Sequence, residues 1–157
     1  MEDQEELTRM RGEVIEKSIE IEALVEEMIT RQYFGVLFEN ARGFMVQFLG
    51  EQTVSFRTKA KILKDILIGW PASRVDSEIH LPATVELKSV GNRLMEISDA
   101  RNKFAHCGKN NPRFDNPKKE YTDFNELHER VKADLITIRD CFAKCHPSKF
   151  IARPQLP

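Results

Sequence analysis

Apolar residues recur along this chain at every third or fourth position, and apolar/polar alternation between hairpin turns is nearly absent. That pattern predicts helices rather than strands. From Glu5 to about Tyr33 there is no proline, and Leu7, Met10, Val14, Ile21, Leu24, Val25 and Met28 form one stripe. Ile15 and Ile19 widen it, which predicts neighbours on more than one side of a helix roughly 40 Å long. Gly12 weakens the start of that helix by about 1 kcal/mol relative to alanine. The aromatic-rich stretch from Phe34 to Leu49 is punctuated by Gly35 and Gly43 and closed by Gly50, so it reads as helix mixed with loop. Ser55 can cap a helix reaching about Ile68, with Phe56, Ala60, Leu63, Ile66 and Leu67 inward. Arg57, Lys59, Lys61 and Lys64 are then expected in water.

The polar stretch from Ala72 to Leu81 reads as a connection, and Pro82 suits the first turn of the helix after it. Its stripe is Leu87, Val90, Leu94 and Ile97, then Arg101 and Phe104, with Cys107 and Gly108 at its end. Residues 109–121, KNNPRFDNPKKEY, form a turn-rich basic loop. Asp123 and Glu126 have the spacing of a capping box for the last helix. Its stripe is Phe124, Leu127, Val131, Leu135, Ile138, Phe142 and Cys145, and Pro147 stops it. The expected fold is all-α: an up-and-down bundle of four to five helices without internal repeats. Residues 1–146 make a single domain, and residues 147–157 a flexible or partner-docking tail.

A chain of 157 residues suits one domain, and its 41% apolar and 31% charged residues lie far from the composition of disorder. Twenty-four Lys and Arg face twenty-five Asp and Glu, for a net charge of −1. That balance argues against tail-driven, histone-like nucleic-acid binding and leaves room for a local basic cleft. No apolar run approaches the length of a membrane span, and MEDQEEL lacks the basic start and apolar core of a signal peptide. The odd cysteine count, Cys107, Cys141 and Cys145, points to a reducing compartment, so a cytoplasmic protein is expected. Cys141 and Cys145 share a helical face and His146 follows. With no second Cys/His cluster at zinc-finger spacing, they read as buried thiols, and no metal or other cofactor is expected.

One position breaks the pattern. Hydrophobic burial offers no reason for Arg101 to lie on an apolar stripe, and burying it requires a partner. Asn102 and His106 are four apart on one helical face, with Arg101 about 100° round the helix from Asn102. Two readings follow. In one, Arg101 pairs with an acidic residue of the first helix, such as Glu20 or Glu22, and His106 merely caps the helix C-terminus. In the other, the three side chains converge on a ligand. Lys103, Lys109, Arg113, Lys118 and Lys119 surround this segment and are either RNA-gripping or ordinary solvated cations. Phe114 and Tyr121 either stack on a base or pack the loop.

The segment RNKFAH, Arg101 to His106, resembles the Arg-x4-His signature of the HEPN superfamily, including the polar Asn after the Arg. The layout is also similar: a long first helix with RGEVIEKSIEIEAL at Arg11 to Leu24, then SFRTKAKILKDIL at Ser55 to Leu67 leading to the motif helix. The resemblance covers roughly residues 10–145. It implies a helical bundle forming a two-fold homodimer that brings two motifs to one cleft. It further implies metal-independent RNA cleavage, often by toxins or defence effectors that a partner antitoxin or regulatory protein controls. Arg101 and His106 then form the catalytic pair, with Asn102 in support. Position 108 is Gly rather than the Tyr of the toxin branch that is neutralised by AMP transfer. Other members keep the bundle as a non-catalytic binding module.

Overall fold

The computed structural model describes residues 2–34, 54–69, 82, 85–106 and 116–144. They form four helices: α1 (Glu2–Phe34), α2 (Phe56–Gly69), α3 (Leu87–Ala105) and α4 (Pro117–Lys144). Among the described residues there is no strand, and the protein is an all-helical bundle. The expectations for Phe34 to Leu49 as a segment, Cys107, Gly108, Lys109, Arg113, Phe114, Cys145, His146 and the 147–157 tail lie outside the described residues.

In α1 the buried positions Met10, Val14, Ser18, Ile21, Val25 and Met28 are spaced by three or four, and Ile29 and Thr30 are buried after them. Ser18 continues the apolar stripe because its hydroxyl donates to the Val14 carbonyl at 2.6 Å and so is satisfied within its own helix. Ile19, expected to widen the stripe, is instead 53% exposed. In α2 the Ser55 cap forms as expected, with the Thr58 amide donating to Ser55 Oγ at 3.2 Å. Phe56, Ala60, Leu63 and Leu67 are buried, but so is Lys59, which the pattern had placed in water.

The starts of α3 and α4 differ from expectation. Pro82 lies outside α3, and its carbonyl accepts from the Val85 amide at 2.9 Å. Helical bonding begins only with the Val90 amide on the Glu86 carbonyl at 3.0 Å. The last helix starts at Pro117 and not after Asp123, which is an exposed residue within it. Asn116 is its cap: the side-chain oxygen accepts from the Lys119 amide at 3.0 Å and the carbonyl from the Glu120 amide at 3.1 Å. Proline at the first helical position gives up an amide with no helical partner anyway, and Glu120 in the first turn faces the positive end of the dipole.

Contacts between named side chains show the helix directions. Glu6 meets Lys118, Lys17 meets Asn125, and Glu20 meets Lys132, so α1 and α4 run parallel. Arg93 pairs with Asp134, and Lys103 with Glu120, so α3 opposes α4. Arg57 pairs with Asp99 near one end of α2, while Lys64 packs on Gly91 near the other, so α3 also opposes α2. Thus α2, α3 and α4 alternate in direction. The helices α1 and α3 each pack on all the others, while α2 and α4 have little or no direct contact. Val90, Leu94, Ile97 and Phe104 of α3 join a single core with the stripes of the other three helices.

Candidate functional site

Ile97 and Phe104 are buried on α3 and hold the intervening stripe position, Arg101, toward the bundle. Its side chain is 29% exposed, and Nη1 donates to Glu22 Oε2 of α1 at 2.8 Å. The guanidinium also lies over the Phe56 ring of α2, with Cζ 5.6 Å from the centroid. Glu22 is therefore the acidic partner that the simpler reading of Arg101 required. Glu20, the alternative, turns instead to Lys132 of α4.

The other oxygen of Glu22 is also occupied. Lys59 Nζ donates to Glu22 Oε1 at 2.7 Å and to Glu26 Oε1 at 2.5 Å, with its own side chain only 3% exposed. Burial disfavours the ammonium, but the hydrogen bonds and charges of Glu22 and Glu26 outweigh it and hold the Lys59 pKa above the ordinary lysine value. Two cations and two anions thus join α1, α2 and α3 into a charge-balanced chain that ends at Arg101. Sequence patterning missed Lys59, although two signals were present. It lies three residues after Phe56 and four before Leu63, on the inward stripe, and Glu22 and Glu26 are four apart on one face of α1.

Asn102 and His106 are exposed, and His106 is the C-cap of α3. The His106 amide donates to the Asn102 carbonyl at 3.1 Å and to the Phe104 carbonyl as well. Among the described residues neither side chain has a hydrogen-bond partner. Arg101, Asn102 and His106 therefore occupy the last turns of one helix, the first tethered inward and the other two open to solvent.

The flanking cations are already engaged to different degrees. Lys103 reaches both oxygens of Glu120, at 2.6 and 2.5 Å, and Lys118 reaches Glu6 at 2.8 Å. Lys119 is exposed, and its backbone amide is used by the Asn116 cap. Tyr121 is half-buried beneath Arg9, its hydroxyl donating to Glu13, so it packs between α1 and α4. On the other flank of α3, a groove of about 600 Å³ is lined by Ala100, Glu96, Glu120, Asp123 and Glu126, with Arg93 and Arg130. Its carboxylates outnumber its cations. Among the described residues no group of three His, Cys, Asp or Glu side chains could hold a metal ion, and no helix is long and apolar enough to cross a membrane.

Comparisons with family models, with curated proteins and with solved structures each find no match for this chain.

Proposed function

We propose that this protein is a metal-independent endoribonuclease of the HEPN type, cytoplasmic and acting as a homodimer, with a toxin or defence role under the control of a partner protein. One observation supports this reading above the others: Asn102 and His106 are exposed, with no side-chain hydrogen-bond partner among the described residues, at the end of the helix that carries a tethered, partly exposed Arg101. RNA cleavage of this kind removes the proton from a 2′-hydroxyl, whose oxygen attacks the adjacent phosphorus as the bond to the 5′-oxygen breaks. The leaving oxygen then takes up a proton.

An imidazole at position 106 has the chemistry to serve either proton transfer. Arg101 keeps its charge and presents a planar set of donors to a phosphate gaining negative charge. Asn102 orients the imidazole or binds a non-bridging oxygen. Two-fold assembly supplies a second His106, so that one imidazole acts as base and the other as acid. The acidic groove on the Ala100 side repels a phosphate backbone, which leaves the Asn102 and His106 side for RNA. Among the proposed RNA contacts in the described chain, Lys118 and Lys119 are exposed, and Lys103 and Lys118 must exchange a carboxylate for a phosphate.

A specific observation favours a second reading. Arg101 is paired with Glu22 and stacked on Phe56, the contacts of a residue that holds helices together, as in a non-catalytic module of the same fold. Purified protein incubated with structured and unstructured RNAs in excess chelator separates the two. The nuclease reading expects products with 2′,3′-cyclic phosphate and 5′-hydroxyl ends from wild type, and none from folded Arg101→Ala or His106→Ala. Absence of cleavage by wild type across those RNAs sinks it in favour of the module.

A further inference from the structure

Glu22 has two carboxylate oxygens and two cationic partners, one on each: Lys59 at 2.7 Å on Oε1 and Arg101 at 2.8 Å on Oε2. A carboxylate beside an arginine ordinarily takes two parallel N–H bonds from the guanidinium fork. Here it takes one, through Nη1, because its other oxygen is held by a buried lysine. The remaining guanidinium donors make no hydrogen bond among the described residues, and the side chain is 29% exposed. The guanidinium lies over the Phe56 ring, with Cζ 5.6 Å from its centroid, a contact that uses no N–H donor.

We propose that Lys59 is a positioning residue: by holding one oxygen of Glu22, it keeps the open edge of the Arg101 guanidinium available to a phosphate of the RNA backbone. The identity of that ligand rests on the ribonuclease reading; the effect of Lys59 on Arg101 does not. Glu26 has a different part. It shares the Lys59 ammonium at 2.5 Å and makes no bond to Arg101, so it balances the buried charge without touching the arginine. Without Lys59, both oxygens of Glu22 become free to close on Arg101, and a phosphate has to displace a carboxylate.

The two glutamates make the test decisive. Lys59→Met alone leaves an excess negative charge in a half-buried site and can fail to fold, so the informative variants are the charge-balanced doubles Lys59→Met/Glu26→Gln and Lys59→Met/Glu22→Gln. They have the same composition and differ only in which carboxylate remains. The first keeps Glu22 free to clamp Arg101. The second leaves an amide oxygen that accepts a single Nη1 bond. The probes are fluorescent 2′-O-methyl oligoadenylate and oligouridylate, which lack the attacking hydroxyl and cannot be cut by the proposed reaction.

The variant retaining Glu22 should bind these oligonucleotides roughly tenfold more weakly than wild type, and the variant retaining Glu26 should bind within about twofold of wild type. Side-chain nitrogen NMR of Arg101 gives a readout independent of RNA. Rotation of the guanidinium nitrogens should be slowed in the variant with Glu22 and not in the one with Glu26. Equal guanidinium rotation in the two doubles overturns the role of Lys59. Slowed rotation with no oligonucleotide binding by wild type keeps that role and removes the nucleic-acid reading instead.

Discussion

A Cβ built on Gly91 of α3 would lie 2.6 Å from Cγ and 3.1 Å from Cβ of Lys64 on α2. The two helices approach where one of them has no side chain, and the atoms in the way belong to the stem of the lysine, with its Cα only 3.4 Å off. Alanine at position 91 gains about 1 kcal/mol of helix propensity but overpacks a buried contact at a cost of about 1–3 kcal/mol. Gly91→Ala should therefore lower the urea midpoint. Gly12, also helical, meets nothing within 4 Å, and Gly12→Ala should raise stability by about 1 kcal/mol. If both variants are stabilised, the close approach at Gly91 is not real.

Stability should separate Arg101 from His106 before any RNA is added. His106 is an exposed C-cap whose bonds are made by its backbone, so His106→Ala should change the unfolding free energy by less than about 0.5 kcal/mol. Arg101→Ala removes the ion pair with Glu22 and the contact with Phe56, leaving a carboxylate that is only 14% exposed. A loss of about 1–2 kcal/mol is expected after allowing for solvent at the arginine. Cleavage by Arg101→Ala must therefore be compared per folded molecule. Equal losses in the two variants would contradict the inward tether of Arg101.

The Asn116 side chain caps α4, and Asn116→Ala should cost about 1 kcal/mol. The damage should be local. Hydrogen exchange should accelerate at the amides of Lys119 and Glu120 while the amides around Val131 and Leu135 keep their protection. Uniform acceleration along the helix would show that the first turn is not an independently fraying unit.

Stability should fall at both extremes of pH. The folded pKa of Lys59 is raised above 10.5, so its contribution is complete below that value and is lost as pH rises through the folded pKa. The Tyr121 hydroxyl and Arg9 lower the pKa of Glu13, and Lys132 lowers that of Glu20, both from 4.5. Their contributions are present above pH 4.5 and are lost as pH falls through the folded values. Denaturant midpoints measured across pH should show an alkaline slope that Lys59→Met/Glu26→Gln lacks and an acid slope reduced by Glu13→Gln. An unchanged alkaline slope in the double variant would remove Lys59 as its source.

Helical periodicity alone placed most of the described stripe in each of the four helices. Met10, Val14, Ile21, Val25 and Met28 of α1, and Val90, Leu94 and Ile97 of α3, are buried where the spacing put them. Local chemistry was legible where it was unambiguous: Ser55 caps α2, whereas Asn116 and Pro117 lay within a stretch whose turn residues masked a helix start. Arg101 stood out because it broke an apolar stripe, and Glu22 was one of two partners that the chain suggested for it. Periodicity could not choose between Glu20 and Glu22, since both lie in the same turn of α1 and only the rotation of α1 against α3 and α4 assigns one to each neighbour. Nor could it decide that Lys59, though spaced to fall on the inward stripe, is buried there. A lysine is ordinarily solvated, and the desolvation of its ammonium is offset only when two carboxylates from another helix, 33 and 37 residues away, close on it in three dimensions. Burial of apolar side chains follows from the order of residues along each helix, and pairing of buried charges follows from how the helices meet.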